Sequence, residues 1–232
     1  MNPLNTRSKA DRVYRRLLAR IRKGEYNFGE KLSSVAISKE LGVSRQPVMA
    51  AIMLLQAEGL LHVTPQVGCN IVTPSAREIL DFFELFAVSE GLLARFAATR
   101  GAADALSQLR AAEERLSAVP YVGKLSHTYG TYARRFHGVI HQMSGAPELR
   151  VRVESLWGLG DFYLNTAKSG VRAEDVQAEH DERRLIVDTI AKKHADEAED
   201  SMRAHIRRKL YRIGPGRDLG ELPSSDRDDP GK

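Results

Sequence analysis

The stretch from Leu32 to Leu60, LSSVAISKELGVSRQPVMAAIMLLQAEGL, decides the fold. It holds two short segments of helical apolar period, broken by Gly42-Val43-Ser44. Ala36, Ile37 and Leu41 share one face of the first segment, and Val48, Ile52 and Leu55 one face of the second. Ser44 is a favourable N-cap residue. Pro47 follows in the first turn, where a missing N–H is harmless because that donor has no intrahelical partner. Two helices joined by a tight glycine-containing turn predict a helix-turn-helix, the unit in which the start of the second helix enters the DNA major groove. Here that start carries Ser44, Arg45, Gln46 and Met49. Arginine suits phosphate or guanine, glutamine suits adenine, and an apolar side chain suits the thymine methyl. The competing interpretation of the same pattern is an ordinary helical hairpin in a core.

The flanks extend the unit. Ser8 to Gly24 reads as an amphipathic helix with Val13, Leu17, Leu18 and Ile21 as its apolar stripe and an arginine-rich opposite face that includes Arg12. Leu60–Val63 and Asn70–Thr73 read as short strands around Thr64-Pro65-Gln66-Val67-Gly68. Helix, helix-turn-helix and hairpin together predict a winged helix, with Gln66 and Gly68 at the wing tip. Arg12, Ser33, Ser44, Arg45, Gln46, Pro47, Met49, Gln66 and Gly68 form the expected DNA-contacting set.

Charge is placed accordingly. Residues 1–73 carry 11 Lys and Arg against 5 Asp and Glu, while the whole chain carries 35 against 30. All the excess positive charge therefore lies in the winged-helix segment, the footprint of a phosphate-binding module. Hydrophobic residues make up 42%, charged 28% and aromatic 6%, which suits a soluble, helix-rich chain. One cysteine, Cys69, allows neither an internal disulfide nor a thiolate zinc cluster, and reads as a small buried residue of the wing. No apolar run approaches the ~18 residues of a membrane span, and the expected location is the cytoplasm.

Pro74-Ser75-Ala76 marks the expected boundary between a reader at 8–74 and a second domain at 75–213. Ser75 with Glu78 predicts a capping box. From there six helical patterns follow: Glu78–Arg100, Ala102–Ala118, Thr128–Met143, Pro147–Thr166, Ala173–Lys193 and Ala195–Ile213. The prediction is a mainly α protein, in which an N-terminal winged helix-turn-helix precedes an all-α antiparallel bundle. Residues 214–232, rich in Gly, Pro, Ser and Asp, read as a disordered tail.

These motifs carry a resemblance. LGVSRQPV with AEGL, then FELFAVSEGLLARFAA, RRFHGVIHQMSGAP, ERRLIVDTI and SMRAHI, resemble a GntR-family transcription regulator of the FadR type with an FCD ligand-binding domain, over nearly everything from Val13 to Leu210. The resemblance implies a homodimer on a palindromic operator, released or recruited by a small metabolite, often a carboxylate. It also implies a divalent metal held by one Asp and three His. Those positions here are Ala133, His137, Arg183 and His205, so two of the four ligands are absent. A guanidinium cannot ligate and repels a cation, so no cofactor is favoured. A shifted zinc, nickel or manganese site from His137 and His205 with His141 or His180 is the alternative. In the favoured reading Arg183 replaces the metal, binding a carboxylate or phosphate with help from His137 and His205. Phe86, Ala133 and Tyr132 complete that expected effector pocket. Against this stands pairing of Arg183 with a neighbouring acid and no ligand at all. Two other functions are weighed: an enzyme built on His137, His205 and Arg183, which lacks a nucleophile, a phosphate loop or a carboxylate pair, and a DNA-binding dimer without a ligand.

Overall fold

The computed structural model describes residues 8–64, 68–120, 127–166 and 173–213. The reader half begins with α1 (Lys9–Arg22), capped by the Ser8 hydroxyl accepting the Asp11 N–H at 3.1 Å. Its stripe Val13, Leu17, Leu18 and Ile21 is buried as the period predicts. It packs on α3 (Arg45–Ala57), whose Val48, Ala51, Ile52 and Leu55 are buried in turn. Truncating a fully buried leucine such as Leu17 in this contact costs about 2–5 kcal/mol. Between them α2 (Ser34–Leu41) starts at the Ser33 hydroxyl and ends at Gly42, whose φ of 62° gives the left-handed C-cap that only glycine adopts without strain.

The wing is a three-stranded antiparallel sheet in the order β1-β3-β2, from β1 (Lys31–Leu32), β2 (Leu61–Thr64) and β3 (Gly68–Ile71). The register pairs Leu61 with Ile71 and Val63 with Cys69. The sequence suggested two strands. The third is two residues long, below what alternation can reveal, and exists only because β3 offers it an edge. Cys69 is buried there, its thiol donating to the Leu32 carbonyl at 3.3 Å.

The second half holds α4 (Ala76–Arg100), α5 (Ala103–Ser117), α6 (His127–Met143), α7 (Pro147–Thr166), α8 (Ala173–Ala191) and α9 (Ala195–Ile213). The capping box forms: Glu78 N–H donates to the Ser75 hydroxyl and Ser75 N–H to the Glu78 carboxylate. The long α4 lies along α9 and also meets α6, α7 and α8, so it is the spine of the bundle. Among the described residues no helix is long and apolar enough to cross a membrane. Residues 214–232, expected to be a disordered tail, lie outside the described residues, as does Gln66.

The two halves meet where α1 crosses α7. Phe28 sets its ring edge-on to Phe162 at 5.2 Å. The Asn165 amide donates to the Arg22 carbonyl at 2.5 Å. Arg22 lies flat on α7 at Gly158, where an added Cβ would stand 2.5 Å from the guanidinium.

Candidate functional site

The start of α3 is displayed to solvent. Ser44, Arg45, Gln46 and Met49 are exposed, and Pro47 is half-buried. Ser44 has N-cap dihedrals, but its hydroxyl makes no capping hydrogen bond. The expected cap is therefore geometric only, and the hydroxyl is left for another partner. Arg45 makes no ion pair among the described residues, and the unpaired N–H groups of the helix start face the same way. Ser33, by contrast, is engaged with the Ala36 N–H at 3.2 Å. Gly68 is exposed at the base of the wing, with φ of 140°. Arg12 is exposed on α1, but its neighbours are partly committed to the fold. Arg15 pairs with Asp11, and Arg20 bridges Glu25 and Glu40, tying α1 to α2.

Inside the bundle buried polar residues gather around Glu90 and around Arg183. In the first cluster, Glu90 of α4 is fully buried and accepts from His137 Nδ1 at 2.8 Å, His141 Nε2 at 2.9 Å and Trp157 Nε1 at 2.8 Å. Burial alone would raise the Glu90 pKa, but the facing His137 and His141 outweigh it and hold the carboxyl below its ordinary range. Burial pushes His137 down to about 4, against the pull of Glu90, so at neutral pH the ring is a neutral N–H donor. His205 of α9 stacks on His137 with centroids 5.8 Å apart, and turns Nδ1 to Glu182 at 2.9 Å.

The second cluster surrounds Arg183 of α8, which is only 1% exposed. Its guanidinium donates to Tyr129 Oη at 3.2 Å, Glu179 at 3.4 Å and the Ser117 hydroxyl at 3.3 Å. This corrects the placement expected from sequence. His137 and His205 come together, whereas the hydrogen bonds of Arg183 go to Tyr129, Ser117 and Glu179, a glutamate one turn earlier on its own helix. Burial holds the His180 pKa below its ordinary value, and Arg183, one turn on along α8, acts in the same direction. Phe86 is core: it stacks on Phe82 and meets Trp157 edge-on at 5.3 Å. Tyr132 is half-buried against the core, and Ala133 is buried.

The metal set implied by the resemblance does not fit. Ala133 offers no donor atom, Arg183 is a cation facing elsewhere, and the His137 and His205 rings stack. Glu90, His137 and His141 bring three donor atoms within 4.8 Å of one another. Yet both Glu90 oxygens already accept N–H donors, one of them from an indole that cannot ligate, and all three residues are buried. Those three contacts are the surrounding of a hydrogen-bonded buried carboxylate.

A cavity of about 460 Å³ opens between α1 and the bundle. Ala133, Trp157 and Leu164 line it, with Arg22, Arg134, Asp161 and Lys209 among its polar groups. Sequence reading missed Lys209, although its position four residues after His205 puts it on the same face of α9. It also missed Glu90 and Trp157, whose pairing joins α4 to α7 across 67 residues of sequence.

A winged helix with an exposed second-helix start, joined to a helical bundle with a cavity where the two meet, has the make-up of a DNA-binding regulator. Residues 9–71 match the bacterial regulatory proteins of the gntR family and residues 81–208 match the FCD domain, and the chain belongs to this family. It is similar to the uncharacterised HTH-type regulator YdhC of Bacillus subtilis (24% identical; 83% of this chain, 85% of that one). It is also similar to the HTH-type transcriptional repressor GlaR of Escherichia coli (25% identical; 83% and 90%). The structure of E. coli McbR/YncC shares the fold, with a TM-score of 0.71 at 17% identity over 88% of this chain and 96% of that one.

Proposed function

We propose that this transcription regulator is a repressor. It acts as a homodimer on a palindromic operator in the cytoplasm, and a small acidic molecule in its helical half controls it. The observation that carries the DNA reading is the start of α3. There a hydroxyl, a guanidinium and an amide stand exposed in sequence, and Arg45 has no ion-pair partner among the described residues. Arg45 and Gln46 read base edges, Met49 meets a thymine methyl, and Ser44, Pro47, Gly68, Ser33 and Arg12 lie along phosphates. The repressor sign is supported by the relative that bears that name. Two-fold symmetry is supported by the reach of one winged helix, which spans only a half-site.

Effector control is supported by the cavity between α1 and the bundle, where cationic side chains outnumber carboxylates. Arg183 serves the fold rather than the ligand in this reading. The test is a gel-shift titration on DNA selected by the protein from a random pool. Arg45→Ala is expected to weaken binding by about 1–3 kcal/mol with the melting temperature unchanged. Undiminished affinity would sink the assignment of α3 as the reading helix. Elemental analysis is expected to find no stoichiometric transition metal, and about one zinc, nickel or manganese per chain would overturn the hydrogen-bonded account of Glu90, His137 and His141.

A further inference from the structure

The large apolar side chains that stay outside the core are unevenly placed. Among the described residues eight are exposed, and four of them, Val35, Met49, Met53 and Leu54, lie within the two helices of the helix-turn-helix. Single exposed apolar residues are ordinary, but a contiguous group marks a surface that meets a partner. Three of the four are on α3. At about 100° per residue, Gln46 and Met53 point nearly the same way, with Met49 on one flank and Ala50 on the other. All of these are exposed, while Val48, Ala51, Ile52 and Leu55 take the buried side.

The same face is poor in charge. After Arg45, the first residue of α3, no ionisable side chain follows as far as Ala57. Glu58, just past the helix end, accepts from the Tyr14 hydroxyl of α1. The exposed cations Arg12 and Arg16 stand on α1 instead. Beyond its first turn, α3 therefore offers DNA neither a charge-assisted phosphate contact nor the bidentate arginine that selects guanine. It offers apolar contact, and the apolar group on the major-groove edge of the four bases is the thymine 5-methyl. Methionine suits that partner, because its unbranched, polarisable thioether moulds to a small protruding group. Ala50 beside it is short enough to let the helix approach the base edges closely.

We propose that Met49 and Met53 form a methyl-reading strip, so that each operator half-site carries two thymines about two base steps apart. The inference rests on α3 as the reading helix and adds Met53, the paired methyl signal and its spacing. That spacing follows from helix geometry: residues four apart are separated by about 6 Å along the axis, and successive bases by about 3.4 Å. Arg45 and Gln46 anchor the helix start, and the strip reads further along the groove. Each methyl withdrawn from water against a methionine strengthens binding about four-fold. No charge takes part, so this share of recognition is insensitive to salt.

The test is a gel-shift titration of the full chain on DNA that it selects from a random pool, beside the same DNA with deoxyuridine replacing each thymine in turn. Uracil pairs as thymine does and keeps the O4 acceptor, so only the methyl is lost. Two thymines per half-site, about two steps apart, are expected to lose about four-fold on replacement, and the others less than about two-fold. Met49→Ala should abolish the preference for thymine over uracil at one of these positions and keep it at the other, and Met53→Ala the reverse. Both variants should melt as the parent does, because the side chains are exposed, and keep its dependence of affinity on salt. A methionine that only supports the fold would weaken binding to thymine and uracil DNA alike, and that result overturns the inference. Uracil DNA bound as tightly as thymine DNA overturns it too. In that event a loss in Arg45→Ala keeps α3 as the reading helix, whereas no loss there removes both readings. Variants that bind both DNAs as the parent does, but sediment at a lower mass, would give the face to a protein contact and equally overturn the inference.

Discussion

The reader and the bundle treat polar residues in opposite ways. In the reader, the groups suited to DNA stand on the surface at the start of α3 and need only their own helix to present them. In the bundle, Glu90, His137, Arg183, Glu179 and His205 are all buried, and each depends on partners from other helices or other turns. The lesson is that exposed chemistry is a property of a segment, whereas buried chemistry is a property of an assembly. A second contrast sits within the bundle. Glu90 and Arg183 are buried charges with hydrogen-bonded partners, whereas Lys209 makes no ion pair among the described residues and lines the cavity.

The largest effect is expected at Glu90. Glu90→Ala strands the N–H groups of His137, His141 and Trp157 in the core and should cost about 3–5 kcal/mol in urea unfolding, or abolish soluble protein. A change below about 1 kcal/mol would mean that this cluster is not the keystone it looks. Arg183→Met should cost about 3 kcal/mol, because buried Glu179 loses its ion-pair partner on α8. Set beside Lys209→Met, which should cost nothing, this pair of lysine and arginine substitutions is the sharpest probe of the contrast. Equal losses at both positions would erase it.

Acid should act through His137. The folded protein holds that ring neutral down to about 4, whereas the unfolded chain protonates it near 6.5. Between those values the unfolded state takes up a proton that the folded state refuses, so stability falls as pH drops through that window and is unaffected above it. The slope is at most about 1.4 kcal/mol per pH unit from this one group. Urea midpoints at pH 7.5, 6.0 and 5.0 would reveal it, and a flat profile would contradict a neutral buried ring.

The smallest effects separate two serines with the same nominal job. Ser75→Ala breaks the capping box of α4 and should cost about 1 kcal/mol of stability. Ser44→Ala should change stability by less than about 0.5 kcal/mol, since its hydroxyl caps nothing. Its effect should show instead as modestly weaker DNA binding. Melting temperatures and gel shifts on the two variants give the comparison directly.

Much of this was legible in the sequence. The period of Val13, Leu17, Leu18 and Ile21 gave α1, Gly42 marked the turn, and six apolar-periodic runs gave six helices. The loss of the metal set was also legible, because it depends on residue identity at Ala133 and Arg183. What could not be read was where Arg183 points. The partners of Arg183, namely Ser117, Tyr129 and Glu179, come from α5, α6 and α8, and only the packing of those helices brings them together. Glu90 was visible as part of a motif, but its three donors come from α6 and α7.

By itself, then, the sequence determined the helices and the wing hairpin, their order and the family, because these follow from local period, capping chemistry and residue identity. The tertiary structure alone decided which charges neutralise one another and which is left over. Pairing inside a core is set by distances of a few ångströms between helices far apart in the chain. At that range a buried charge is either matched, as Arg183 is by Glu179 at 3.4 Å, or left facing a cavity, as Lys209 is.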